Sequence, residues 1–398
     1  MRLSNRISRI KPSATLTINA KAKALKQSGI NVINFGVGEP DFDTPDNIRE
    51  AAVQSIRDGQ TRYTAVGGID ELKNAVCRTV ETDYGLSYKP ENVLVSCGGK
   101  HALYNLFQAL LNPGDEVIIP SPYWVSYPDM VELADAKPVI VPCPVENDFR
   151  LLPEDLEKAI TPKTRLMILN SPSNPTGKYY SVEQLKAIAE VLLRHEDVLI
   201  ASDDIYYRIL FGGRKWVNIA MAEERLRERT FIINGVSKSY CMTGWRIGYL
   251  LGNADAVKAA TKVQSQSTSN PSSIAQWASV EALVGGQGIV QEMANVFEER
   301  SRYVVERLSK LPGVTCPVPD GAFYVFPNFS SYFGKKVEGR VIKDSLDLAN
   351  YLMETAHVAV VPGSAFGEER CLRLSYALST EEIKKGFDAV EAALKKLE

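Results

Sequence analysis

Between residues 93 and 206 the chain repeats one pattern: a short apolar run rich in Val, Ile and Leu, a cluster of Gly, Pro, Ser, Asn or Asp, then an amphipathic stretch. Apolar runs fall at 93–96, 116–119, 138–141, 165–169 and 198–201, with a further one at 230–233. Helical periodicity occupies 103–111, a stretch ending at 134, 152–160 and 182–193. Runs this short and this uniformly apolar suit strands buried on both faces. Strands that alternate with helices form a mainly parallel sheet with helices on both sides. Such a sheet binds its ligands beyond the carboxyl ends of its strands.

The run at 230–233 leads into the most informative of these ends. After Asn234 and Gly235 break it, Ser237-Lys238-Ser239 offers one lysine between two hydroxyls, and Arg246 follows beyond Thr243-Gly244. Burial and a neighbouring cation lower the pKa of an ammonium group and free its amine to attack a carbonyl. Arg246 can be that cation while its planar fork holds a phosphate. A solvated lysine after a strand is the simpler alternative. An amine beside a phosphate anchor is what pyridoxal phosphate (PLP) requires.

Other strand ends add partners. Cys97-Gly98-Gly99-Lys100 turns from the first run into a helix, presenting backbone N–H groups that can cradle a phosphate. Lys100, in that first helical turn, opposes the helix dipole and so suits a bound anion better than the helix. Trp124 follows the second run, Asn174 the fourth, Asp203 and Tyr206 the fifth. Each has a plain structural reading: Trp124 as core, Asn174 as a turn former, Asp203 as a helix cap. Yet all are polar or aromatic and lie at the same end of successive strands. A carboxylate beside a pyridine nitrogen keeps the ring protonated, and a tyrosine three residues on can donate to its phenolic oxygen. Asp203 and Asp204 cannot both do this, because neighbours in extended chain point to opposite sides.

Composition narrows the alternatives. With 398 residues, 45% of them hydrophobic, the chain can fill the cores of two domains. A net charge of −2 with both signs interspersed leaves no footprint for nucleic acid or an anionic membrane. Six scattered cysteines and three histidines give neither a disulfide framework nor a zinc site, so no metal is expected. No run is long enough to cross a bilayer, and residues 1–11 lack the apolar segment of a secretory signal, which points to the cytoplasm. A ligand-sensing regulator would carry a DNA-binding unit before the fold, where only a short arm precedes Leu16. A dinucleotide oxidoreductase would need Gly-x-Gly-x-x-Gly, which Gly36-Val37-Gly38-Glu39-Pro40-Asp41 lacks.

Ahead of the sheet, Ser13 or Thr15 is set to cap a helix over 16–27. A short strand at 33–35 enters a Gly-, Pro- and Asp-rich segment where Gly38 lets backbone approach a ligand closely; a plain connecting loop is the alternative. Helices over 46–58 and 68–84 flank a glycine-rich loop containing Tyr63. Beyond the sheet, 256–281 reads as helix interrupted by the polar run 264–271, which is either an exposed linker or a contact surface. A charged helix over 291–310 leads to a smaller α+β domain with strands at 322–326, 358–361 and 372–376 and helices over 346–355 and 380–397. Arg373 lies inside the last strand, either as a salt bridge or as a bidentate clamp for an α-carboxylate.

These motifs together resemble the class I PLP-dependent aminotransferases, and within them the aspartate aminotransferase subgroup common in bacteria, often termed I-beta. The resemblance covers nearly the whole chain, through Lys11-Pro12-Ser13-Ala14-Thr15, Gly38-Glu39-Pro40-Asp41-Phe42, Gly98-Gly99-Lys100, Tyr123-Trp124, Asn174-Pro175-Thr176-Gly177, Ser202-Asp203-Asp204-Ile205-Tyr206, Ser237-Lys238 with Met242-Thr243-Gly244-Trp245-Arg246-Ile247-Gly248, and Arg373-Leu374-Ser375. Asp204 stands where glutamate is more usual, and Cys241 where alanine is.

The resemblance implies fold type I, a seven-stranded sheet, and a homodimer with shared active sites. It divides the chain into an arm and first part of the small domain at 1–44, a large cofactor domain at 45–285, and the rest of the small domain at 286–398. Lys238 would hold PLP, Asp203 would pair with its ring nitrogen, and Tyr206 and Asn174 with its phenolic oxygen; Trp124 would cover the ring. Arg246, Ser237 and the Gly99-Lys100 backbone would hold the phosphate, helped by Tyr63 of the other subunit. Gly38, Asn174 and Arg373 would bind the α-carboxylate of the substrate, and Lys100 with Ser13 and Thr15 its distal carboxylate. The implied reaction is ping-pong transfer of an amino group from L-aspartate to 2-oxoglutarate. Prephenate or aromatic acids are alternative substrates, and a β-lyase or an alanine aminotransferase an alternative reading; Lys100, as a second anion site, argues against alanine.

Overall fold

The computed structural model describes residues 3–10, 12 and 14–398. Seven strands form its central sheet: β1 Val93–Ser96, β2 Glu116–Ser121, β3 Lys137–Pro142, β4 Thr164–Asn170, β5 Leu199–Asp203, β6 Thr230–Gly235 and β7 Gly248–Leu251. They lie side by side in the order β1-β7-β6-β5-β4-β2-β3. Every residue of β1, β6 and β7 is buried, as strands covered by helices on both faces require, whereas β3 at the edge exposes part of its length.

β7 has no counterpart in the sequence reading. Its four residues follow the Arg246 motif without a separating loop, so no turn signal sets them apart. It runs antiparallel to both β6 and β1, while the other neighbours are parallel. The return from β6 to β7 therefore folds the Lys238–Arg246 turn back over the carboxyl ends of the parallel strands. Gly235 faces Gly248 in this pair, and a Cβ on Gly235 would lie 2.9 Å from the Gly248 Cα and from the Ile247 carbonyl oxygen. The turn depends on that close backbone approach.

Helix termini follow local chemistry. Ser181 and Gln184 form a capping box at the start of Val182–Arg194, and Ser379 with Glu382 does the same for Thr380–Leu394. The helix after β1 begins at Gly99, ahead of the periodicity at 103–111, and holds Lys100 in its first turn as expected. Thr15 lies inside the helix Ala14–Gln27 rather than capping it, and Ser13 lies outside the described residues.

The polar run 264–271 is neither linker nor exposed contact surface at its first residue. Ala254–Ser267 continues as helix through Gln264, which is fully buried. Its Nε2 donates to the carbonyl oxygens of Val66 and Val95 at 2.7 and 2.8 Å, and its Oε1 accepts from Ser96 Oγ at 2.6 Å. One amide thus satisfies one backbone acceptor in β1 and another in the loop that holds Val66.

Both ends of the chain contribute to a second, smaller group of strands and helices around one core. Ile33–Asn34 pairs in parallel with Val358–Ala359, while Val361–Pro362 and Tyr324–Val325 flank Leu372–Ser375 in an antiparallel sheet. The expected strand at 358–361 is thus divided at Val360 between two sheets. Its core gathers Phe35, Phe297, Phe323, Tyr376 and Phe387, with ring centroids of Phe297 and Phe323 5.3 Å apart. Truncating one such phenylalanine to alanine costs about 3–5 kcal/mol. The helix Gly288–Ser309 reaches back to the 36–44 segment, where Arg300 grips Asp41 with two bonds of 2.6 and 2.9 Å. No helix among the described residues is long and apolar enough to cross a membrane.

Candidate active site

A cavity of about 300 Å³ opens at the carboxyl ends of the parallel strands. Thr15, Gly38, Gly99, Lys100, Trp124, Asn174, Asp203, Tyr206, Ser237, Lys238, Arg246 and Arg373 all line it, together with Tyr127, Asn170, Thr243 and Tyr324. Gly99, Trp124, Asn174, Lys238 and Arg246 come to it from segments that follow strands of the central sheet, Asp203 from the end of β5, and Thr15, Gly38, Tyr324 and Arg373 from outside that sheet.

Lys238 follows β6, with its side chain half-buried and its tip in the cavity. Its Nζ donates to the carbonyl oxygen of Gly38 at 2.6 Å. Burial lowers its pKa to about 8; Glu39 opposes that shift, Arg246 and Arg373 reinforce it, and Asp203 opposes it. An amine with that pKa near neutrality is competent both as nucleophile and as proton carrier.

Asp203 ends β5 and is buried; Asp204, beside it, faces away from the cavity. Tyr127 donates its hydroxyl to Asp203 Oδ2 at 2.6 Å, and the Ile205 amide donates to Oδ1 at 3.4 Å. Burial raises the Asp203 pKa to about 6, against the pull of the Tyr127 bond. Asp204 instead accepts from Ser202 Oγ at 2.7 Å and from Asn218 Nδ2 at 3.2 Å, and burial pushes its pKa to about 8. Of the two aspartates, Asp203 lines the cavity and Asp204 does not.

Arg373 is 2% exposed. Its Nη2 donates to the Gly36 carbonyl oxygen at 2.6 Å and its Nη1 to Asn174 Oδ1 at 3.2 Å, while Nε has no partner among the described residues. Tyr324 packs against the guanidinium, with 4.8 Å between the Arg373 Cζ and the ring centroid. The Tyr324 and Tyr206 hydroxyls share a hydrogen bond of 2.9 Å. Among the described residues, no carboxylate pairs with Arg373. Gly38 completes this corner, since a Cβ there would lie 2.9 Å from the Tyr324 hydroxyl.

On the other side, Gly98 turns β1 into its helix with φ of 89°. A side chain at Gly98 would collide with the Arg246 guanidinium, whose Nη1 donates to the Thr243 carbonyl oxygen at 2.9 Å. A helix start with free N–H groups beside an exposed arginine is suited to a phosphate. Lys100 Nζ lies 4.9 Å from the Trp124 ring centroid, and its pKa is lowered by desolvation and then by Arg246.

Tyr63 is 92% exposed and does not line its own chain's cavity. Tyr127, Tyr324 and Asn170 are absent from the sequence reading. Tyr127 stands three residues after Trp124, a helical spacing that was a usable signal; Tyr324 sits in an apolar strand and had none.

Residues 30–390 match the family described as aminotransferase class I and II. The chain is 48% identical over 396 residues to the aspartate aminotransferase of Bacillus subtilis (strain 168), with 100% of each chain covered. It is 47% identical over 396 residues to the aspartate/prephenate aminotransferase of Nitrosomonas europaea, covering 99% of this chain and 100% of that protein. Among solved structures, the aspartate aminotransferase from Rhizobium meliloti superposes with a TM-score of 0.97 at 47% identity, covering 100% of both chains. The aspartate aminotransferase from Thermus thermophilus with maleate gives 0.92 at 41% identity, covering 99% of this chain and 100% of that one.

Proposed function

This chain belongs to the class I and II aminotransferases, and as a transaminase of that family we propose that it carries the amino group of L-aspartate to 2-oxoglutarate in two half-reactions at one cavity. We take pyridoxal 5′-phosphate as the carrier because the donor set fits it. Lys238 offers an amine of lowered pKa, Asp203 a buried carboxylate for a ring nitrogen, and Tyr206 and Asn174 polar groups for a phenolic oxygen. Ser237, Arg246 and the Gly99-Lys100 turn offer donors for a phosphate, and the space left by glycine at 98 is what admits Arg246. Trp124 offers a flat face. When bound, this cofactor supplies an electron sink for the pair left on the amino acid's Cα.

The protein's own groups then have defined tasks. Lys238 Nζ moves the proton at the substrate Cα. Asp203 holds a proton on the ring nitrogen, with Tyr127 favouring its ionised form. The Arg373 fork, Asn174 and the Gly38 backbone hold the α-carboxylate, and Lys100 with Thr15 and Ser13 the distal one.

The observation that carries aspartate is the pairing of Arg373 with Lys100 in the cavity that also holds Lys238: two cations for two carboxylates. A second substrate, prephenate, is also supported, because Leu16, Val125 and Ile205 add apolar lining for a ring and the Nitrosomonas europaea relative is named for it. We further propose a cytoplasmic homodimer, in which the exposed Tyr63 reaches the partner's phosphate site. The chain would divide into 1–44 with 286–398 as the small domain and 45–285 as the large one.

The test is an absorbance spectrum of the purified protein supplied with pyridoxal 5′-phosphate. A visible band that bleaches with aspartate and returns with 2-oxoglutarate is the expected result; a band indifferent to aspartate would move the substrate elsewhere, and no band would overturn the cofactor.

A further inference from the structure

The 38–44 segment is stitched to the turn that carries Lys238 at four points. Lys238 Nζ donates to the Gly38 carbonyl oxygen, and Thr243 Oγ1 donates to Glu39 Oε2 at 2.7 Å. Thr44 Oγ1 donates to the Cys241 carbonyl oxygen at 2.7 Å and accepts from Trp245 Nε1 at 3.0 Å. Asp41, between them, is fixed from outside by Arg300. The segment is therefore held against the lysine by side chains on both of its flanks, and Glu39, itself exposed, is tied to that turn through Thr243.

We propose that Glu39 is a positioning residue for the reacting lysine: through Thr243 it pins the Gly38 carbonyl over Lys238, and its carboxylate holds a proton on Nζ. The inference rests on Lys238 being the reacting group named above.

The charges around the lysine make this more than a surface contact. Four groups act on Nζ electrostatically: Glu39 and Asp203 favour its proton, Arg246 and Arg373 disfavour it. Asp203 already has a partner in Tyr127 and is the group assigned to the cofactor ring. Glu39 is then the carboxylate left to offset two guanidiniums, and its effect on the lysine is the largest after burial. Without it, Nζ would remain neutral over a wider pH range and would hold a transferred proton less well.

Glu39→Gln separates the two roles, because glutamine still accepts from Thr243 but carries no charge. The rate of Lys238 labelling by trinitrobenzenesulfonate, followed by peptide mass spectrometry against pH, reads Nζ protonation in the cofactor-free protein. In protein loaded with pyridoxal 5′-phosphate, the pH midpoint of the visible band reads the same nitrogen. Both midpoints should fall by about half a pH unit in Glu39→Gln, and by less in Thr243→Val, where the carboxylate swings free. A labelling midpoint in Glu39→Gln equal to the wild-type one would overturn the proposal; no shift in Thr243→Val would remove the tether from it. If the protein failed to take up the cofactor, the reading of the cofactor would fall while the labelling midpoints still decided the role of Glu39.

Discussion

Tyr127 donates a hydroxyl hydrogen bond to Asp203 Oδ2 at 2.6 Å, in a buried pair that lines the cavity. The bond favours the ionised carboxylate in a place where burial alone favours the acid. Tyr127→Phe keeps the ring and removes the donor, so the Asp203 pKa should climb above its present value of about 6. Since the ionised form is the working one, the acid limb of kcat/KM against pH should move to higher pH, with about a tenfold loss at neutrality. An acid limb that stays in place would detach Tyr127 from the charge of Asp203.

Lys238→Ala should abolish both the visible absorbance of the loaded protein and transamination, a loss of about 10³-fold or more in turnover. Its tip lies in the cavity and bonds only the Gly38 carbonyl oxygen among its hydrogen-bond partners described here, so the fold should survive, as a thermal melt would show. Retained turnover would remove the lysine from the reaction.

Lys100→Ala and Arg373→Lys should fail in different ways. Losing a charge-assisted bond of about 1.5–3 kcal/mol at Lys100 should lower kcat/KM for aspartate by about 10–100-fold and for alanine far less. Arg373→Lys loses the planar fork that serves every α-carboxylate, so both substrates should suffer alike. If Lys100→Ala weakened aspartate and alanine equally, the second anion position would lie elsewhere.

Asp204→Asn tests the buried acid that faces away from the cavity. The folded pKa of Asp204 is raised from 3.8 to about 8, so the folded protein keeps a proton that the unfolded chain releases. Its contribution to stability is complete below 3.8 and is lost as pH rises towards 8, at up to about 1.4 kcal/mol per pH unit. The asparagine variant has no such loss. Its melting temperature relative to wild type should therefore increase from pH 5 to pH 8; a difference that is flat across this range would mean that Asp204 is already ionised when folded.

The alternation of apolar runs and helices carried the fold because burial on both faces leaves a nearly continuous apolar signature. The same rule made Lys238, Asp203, Asn174 and Trp124 legible as residues at strand ends. β7 was not legible, because its four residues follow directly on a motif that reads as loop. Gln264 departs from expectation for a related reason: glutamine in a polar run signals solvent, yet here its amide satisfies the Val95 carbonyl in β1 and the Val66 carbonyl of a neighbouring loop. Tyr127 and Tyr324 act on other side chains across space, through Asp203 and Arg373, and pattern along the chain records only what lies near in sequence.

The pairing of Ile33 with Val358 joins residues separated by nearly the whole polypeptide. During synthesis the early strand has no mate until almost all of the chain has left the ribosome, while strands of the central sheet find neighbours far sooner. The bond from Arg373 to the Gly36 carbonyl shares that delay, since it joins residues from the first and last parts of the chain. A nascent chain can thus shape the lysine's surroundings before the proposed carboxylate clamp at Arg373 is assembled.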